Sequence, residues 1–62
     1  MESKYLGMTV NERLYVSGLI DEFEKAVREK DVERVIFILN KIDIRDNESI
    51  EAILQQEGLT AF

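Results

Sequence analysis

Apolar residues recur at helical spacing in three blocks of this chain. The first covers residues 10–30. The second, residues 32–42, follows almost at once, and a shorter third covers about 47–57. Recurrence at three and four residues is the mark of amphipathic helices that bury one face. The expected fold is therefore all-α: a helical hairpin plus a shorter third helix, in a small three-helix domain. It would occupy residues 1–62, with 1–8 as a flexible or docking N-terminal arm.

The first helix has a defined start. Thr9-Val10-Asn11-Glu12 is a capping box, in which the threonine hydroxyl and the glutamate carboxylate satisfy each other's backbone amides. At 100° per residue, Tyr15, Val16, Leu19, Ile20, Phe23, Ala26 and Val27 share one arc, which is the expected core face. Asp21, Glu24, Lys25, Arg28 and Glu29 lie opposite. Asp21 with Lys25 and Glu24 with Arg28 are acid-before-base pairs four residues apart, each giving a few tenths of a kcal/mol.

Ser17-Gly18 interrupts this helix, where glycine costs about 1 kcal/mol relative to alanine. Val10, Leu14 and Gly18 share a side that is mostly polar further on. Three readings stay open: Tyr5 and Leu6 pack over this patch, a second subunit crosses it closely, or the helix kinks. Val10, Leu14 and Gly18 are accordingly candidate interface residues.

Asp31 breaks the chain and can cap the second helix. There Val32, Val35, Ile36, Leu39 and Ile42 form the core face, with Ile38 at its edge. Phe37 falls nearly opposite, beside Glu33, Arg34 and Lys41. Either the third helix or the tail covers Phe37, or it contacts a subunit or partner. Phe37 and Ile38 complete the set of interface candidates. The third helix is to start at Asp46 or Asn47 and to carry only a narrow stripe, Ile50, Ile53 and Leu54. Gly58 sits at the expected C′ position, and Leu59 is placed to meet Leu54 in a Schellman ending.

Composition narrows what such a domain can do. At 62 residues it buries only about 60% of the surface its unfolded chain exposes. A core of this size rarely supplies more than roughly 3–5 kcal/mol of net stability. Histidine and cysteine are both absent. Disulfides, zinc sites of the usual N/S type, thiol nucleophiles and imidazole acid/base chemistry are thereby excluded. Association with another chain is the remaining way to add stability. Hydrophobic residues at 45% and charged residues at 34% make a globular rather than a disordered balance. No apolar run approaches the roughly 18 residues that a membrane span needs. The N-terminus lacks the pattern of a secretion signal, so a cytoplasmic location is expected.

Charge changes the picture further. The net charge is -5, and from Asp46 onward there are Asp46, Glu48, Glu51 and Glu57 with no basic residue. A phosphate backbone repels such a surface, so no nucleic-acid partner is expected. The acidic segment is either a solvated helix face or a surface that docks on a basic partner. Asp43, Asp46, Asn47 and Glu48 do not match the D-x-[DN]-x-[DN]-G spacing of a calcium loop, and no metal is expected. Asp21 and Glu22 are adjacent, so they point to different sides of a helix. No phosphate-binding glycine loop or nucleophile-elbow string occurs, and short helices leave little room for a ligand pocket. No catalytic residue, cofactor or small-molecule substrate is expected.

Two resemblances follow from particular strings. Asn11-Glu12-Arg13-Leu14-Tyr15, Ser17-Gly18-Leu19, Asp21 and Phe23 resemble a group of small uncharacterised bacterial helical proteins. These open with T-V-N-E-R-L, an aromatic and x-S-G-L, and continue into an acidic hairpin. The resemblance implies a helical fold and no activity. Residues 26–43 are similar to the helix pair of an ankyrin repeat. The Thr-Pro-Leu-His opening is missing and there is one copy, whereas such repeats need about three, so the likeness is one of helical-hairpin pattern. The function expected is that of a non-catalytic interaction protein, self-associating as a dimer or binding another protein. The alternative is a small acidic inhibitor or regulator, in the manner of an immunity protein or antitoxin.

Overall fold

The computed structural model describes residues 5–59. Among them are four α-helices and no strand: α1 (Val10–Ser17), α2 (Ile20–Arg28), α3 (Val32–Lys41) and α4 (Asn47–Gln56). The class is all-α, as the pattern predicts. The long first helix expected over 10–30 is instead two helices.

Gly18 makes the break. Its φ of 77° is left-handed, a conformation costly to residues with a Cβ. The Leu19 amide donates to the Leu14 carbonyl at 3.0 Å and the Gly18 amide to the Tyr15 carbonyl at 3.2 Å. This is a Schellman ending, which satisfies the orphan carbonyls of the last turn. A Cβ at Gly18 would meet nothing within 4 Å. The glycine therefore serves backbone conformation, and of the three readings of this position the interruption of the helix is the one seen within the chain.

The break also resets the helical phase. Leu14 is fully buried, whereas Tyr15 and Val16 are 69% and 60% exposed. The single arc drawn across residues 15–27 is thus wrong for its first turn and right for Phe23 and Ala26, which are buried. Val10 is half-buried and packs against the core.

The same chain reversal closes every helix. Lys30 (φ 57°), Asp43 (φ 67°) and Gly58 (φ 73°) are left-handed like Gly18. After each, an amide reaches back five residues: Asp31 to Ala26 at 2.9 Å, Ile44 to Leu39 at 2.9 Å, and Leu59 to Leu54 at 2.8 Å. All four accepting carbonyls belong to buried residues. In three cases the donor is apolar and packs against the core, namely Leu19, Ile44 and Leu59. The fourth, Asp31, instead accepts from the Arg34 amide at 3.2 Å and opens α3. The chain is thus folded by one device used four times. The expected Schellman ending at Gly58 and Leu59 is one instance of it.

Helix starts follow their sequence signals. The Thr9 amide donates to a Glu12 carboxylate oxygen at 2.8 Å, and the Glu12 amide donates to the Thr9 hydroxyl at 3.2 Å. Asp46 accepts from the Ser49 amide at 2.9 Å. Leu19, ahead of α2, gives no side-chain cap.

Each helix packs on the next in sequence, α1 on α2, α2 on α3 and α3 on α4. Between them lies one cluster: Tyr5, Leu14, Phe23, Ala26, Val35, Ile38, Leu39, Ile42, Ile44, Ile50 and Leu54. Ile38, expected at an interface, is 1% exposed and belongs to this core. Of the expected N-terminal arm, Tyr5 is buried and Leu6 is 72% exposed. Residues 1–4 lie outside the described part.

Arg13 ties the ends together. Its Nε donates to the Met8 carbonyl and its Nη1 to the Ile42 carbonyl, both at 3.1 Å. Its guanidinium carbon stands 6.0 Å from the centre of the Tyr5 ring. One side chain therefore joins the N-terminal turn, α1 and the C-terminal end of α3, where a cation also meets the negative pole of the helix dipole.

Candidate functional site

The inner face of α3 is fully committed to the core through Val35, Ile38 and Leu39, with Ile42 just beyond. A helix with its apolar stripe inward presents residues on the opposite face to solvent. Phe37 occupies that outer position and is 50% exposed. Two cations flank it on the same face. The Lys41 ammonium is 5.1 Å and the Arg34 guanidinium 5.9 Å from the ring centre, within the range of cation–π attraction. Spacings of three and four residues bring these side chains over the ring. Asp31, Glu33, Arg34 and Phe37 line a shallow depression there. Phe37 is thus left half open with α4 in place, and the end of the tail, the other expected cover, lies outside the described residues.

Of the five interface candidates, the structure keeps Phe37 on the surface and brings none of the others to it. Leu14 and Ile38 are enclosed in the core and Val10 is half-buried against it. Gly18 is exposed at the α1–α2 break. Tyr15 and Val16, expected in the core, and Leu6, offered as a cover for the Val10, Leu14 and Gly18 patch, are exposed instead. For Tyr15 and Val16 the signal is the glycine itself, which ends one helical phase and begins another.

A cleft of about 350 Å³ runs between α2 and the end of α4, lined by Asn11, Ile20, Phe23, Val27, Arg28 and Glu57 among others. Its floor is apolar and its charged groups stand at the rim. No polar or charged side chain is buried among the described residues, nor do they place three or more acidic side chains together as a metal site would need. Asp46 has its carboxyl held below the ordinary value of 3.8. The hydrogen bonds from the Ser49 side chain and then its amide are the cause, as expected for a carboxylate that accepts at a helix start. That group is an N-cap, and its perturbation is structural. No described helix is long and apolar enough to cross a membrane. What the arrangement offers chemically is contact: an aromatic ring with charges of both signs around it.

No protein-family model, curated protein or solved structure matches this chain.

Proposed function

We propose that this is a non-catalytic helical interaction protein that acts by self-association. The observation that carries the reading is Phe37, a large aromatic left half exposed on the outer face of a helix in a domain with little core to spare. Exposed aromatic surface of this kind is used for association. Tyr15, Val16 and Leu6 add further exposed apolar area. A small core gains stability from a second copy by mass action. A cytoplasmic setting suits a cysteine-free chain, and the resemblance of the Thr9–Leu19 string to small bacterial helical proteins belongs to the same reading. Native mass and thermal midpoint measured from micromolar to millimolar concentration test it. Both rise with concentration if the protein self-associates. One monomer mass with a constant midpoint refutes it.

A second reading rests on α4. Glu48, Glu51 and Glu57 are all exposed, and no basic residue follows Arg45. Such a face suits inhibition or regulation of a protein with a basic site. Capture of a host protein that is lost on exchanging Glu48 and Glu51 for lysine supports it. Capture that is indifferent to the exchange counts against it.

A further inference from the structure

Of the four described helices, α2 alone starts without a side-chain cap. α1, α3 and α4 open on Thr9, Asp31 and Asp46, which accept from amides of the first turn. Leu19 offers nothing to the first amides of α2, and a helix has no partner of its own for them. Only Gly18 and Leu19 separate α1 from α2, and Gly18 makes the turn in the left-handed region, at φ 77°. Short hinges between packed elements invite their exchange between copies.

The sequence across this hinge also fits a straight helix. In one unbroken helix over residues 10–28, Tyr15, Val16, Leu19 and Ile20 continue the stripe of Phe23 and Ala26. In the broken form Tyr15 and Val16 leave that stripe and are largely exposed. Straightening gives the amides of Ile20, Asp21 and Glu22 the carbonyls four residues back, those of Val16, Ser17 and Gly18. It also carries Leu14 out of the core and the Arg13 guanidinium away from the Ile42 carbonyl. The same segment of a second copy fits the vacated seat, because every contact it makes there is one the closed chain already makes. We infer that the α1–α2 joint is the hinge of a domain-swapped homodimer, in which residues 5–17 of each copy seat in the other's core and residues 10–28 form one helix. Tyr15 and Val16 then extend an apolar strip along which the two long helices meet. The inference rests on the self-association reading and gives it a mechanism that does not involve Phe37.

The test replaces Gly18 by L-alanine and, in a synthetic chain, by D-alanine. L-alanine disfavours the left-handed turn and favours helix, by about tenfold or more per joint. Two joints straighten per dimer, so Gly18→Ala should dimerise about a hundredfold more tightly than the wild type. D-alanine has the opposite preference, and that variant should stay monomeric. Circular dichroism checks that both are helical, and sedimentation from micromolar to millimolar concentration reads their mass. Spin labels on Asn11→Cys and Arg28→Cys, in a chain with no other cysteine, read the conformation. Dilution into excess unlabelled protein restricts the measurement to distances within one chain. Asn11 and Arg28 are exposed and line one cleft of the closed chain. On one straight helix they stand about 26 Å apart along the axis. The Gly18→Ala dimer should show the long separation and the D-alanine monomer the short one. A Gly18→Ala dimer that keeps the short separation overturns the swap. So does a Gly18→Ala variant that associates no better than the wild type, or a D-alanine variant that dimerises as well. In each of these cases a wild-type dimer leaves self-association standing. A wild type that is monomeric throughout overturns that reading, and the swap of the natural chain with it.

Discussion

Lys30 and Gly18 hold the same left-handed conformation at the ends of α2 and α1, at φ 57° and 77°, and this makes opposite substitutions at the two sites informative. The left-handed region costs a residue with a Cβ about 1–2 kcal/mol. Lys30 bears that cost. Its side chain is exposed and makes no salt bridge or side-chain hydrogen bond among the described residues. Replacing it by glycine removes the strain. Against this stand about 0.5–1 kcal/mol from the greater freedom of glycine in the unfolded chain and a few tenths for a cation lost near a helix C-terminus. Lys30→Gly should therefore stabilise the fold by about 0.5 kcal/mol, a rise in midpoint of about 2–4 °C for a domain of this size. Gly18→Ala runs the other way. The new methyl meets open space, so no clash enters, and the left-handed cost less the entropy gain leaves a loss of about 0.5–1.5 kcal/mol. Denaturant titration at a fixed protein concentration, with equal slopes checked, measures both. Effects of the same sign, or a destabilised Lys30→Gly, would refute the claim that one backbone device closes both helices.

Three further outcomes follow from the fold. Arg13→Ala should cost about 2–3 kcal/mol, because two charge-assisted bonds to the Met8 and Ile42 carbonyls go together. Arg13→Lys should recover less than half of that in the same denaturant titration, since one ammonium cannot span both carbonyls. Leu14→Ala should cost about 2–5 kcal/mol and Tyr15→Ala less than about 0.5 kcal/mol; similar thermal shifts for the two would restore the unbroken first helix. The Asp46 carboxyl is lowered in the fold, so its contribution is present above pH about 4 and is lost as pH falls through the folded value. An Asp46→Asn variant followed by circular dichroism should then lose less stability than the wild type over that acid range.

How far the sequence could be read depended on whether a residue's role is local. Thr9, Glu12, Asp31 and Asp46 act on amides three residues away, and all four appear in the structure at the helix starts where their types place them. Gly58 and Leu59 close α4 as their order implies. The errors arose where two local signals compete over one stretch. Residues 10–30 fit a single 3.6-residue period almost throughout, and Gly18 in such a run is tolerated at about 1 kcal/mol. Period alone therefore favours continuity. The structure decides otherwise because breaking at Gly18 buries Leu14 completely and lets Leu19 close the turn, a gain that exists only once α2 and α3 are present to bury it. Lys30 and Asp43 show the same priority. Neither is the glycine that a left-handed cap prefers, yet both adopt it, since the alternative leaves the carbonyls of Ala26 and Leu39 unpaired within the core. Phe37 is the converse case. Its outward position follows from helical phase within an unbroken element, so it was legible; Arg13 was not, because its acceptors Met8 and Ile42 are brought together only by the tertiary fold. The surface that remains after these local and tertiary demands are met is the part free to serve a partner. On α3 that surface is centred on Phe37, with Arg34 and Lys41 against its ring.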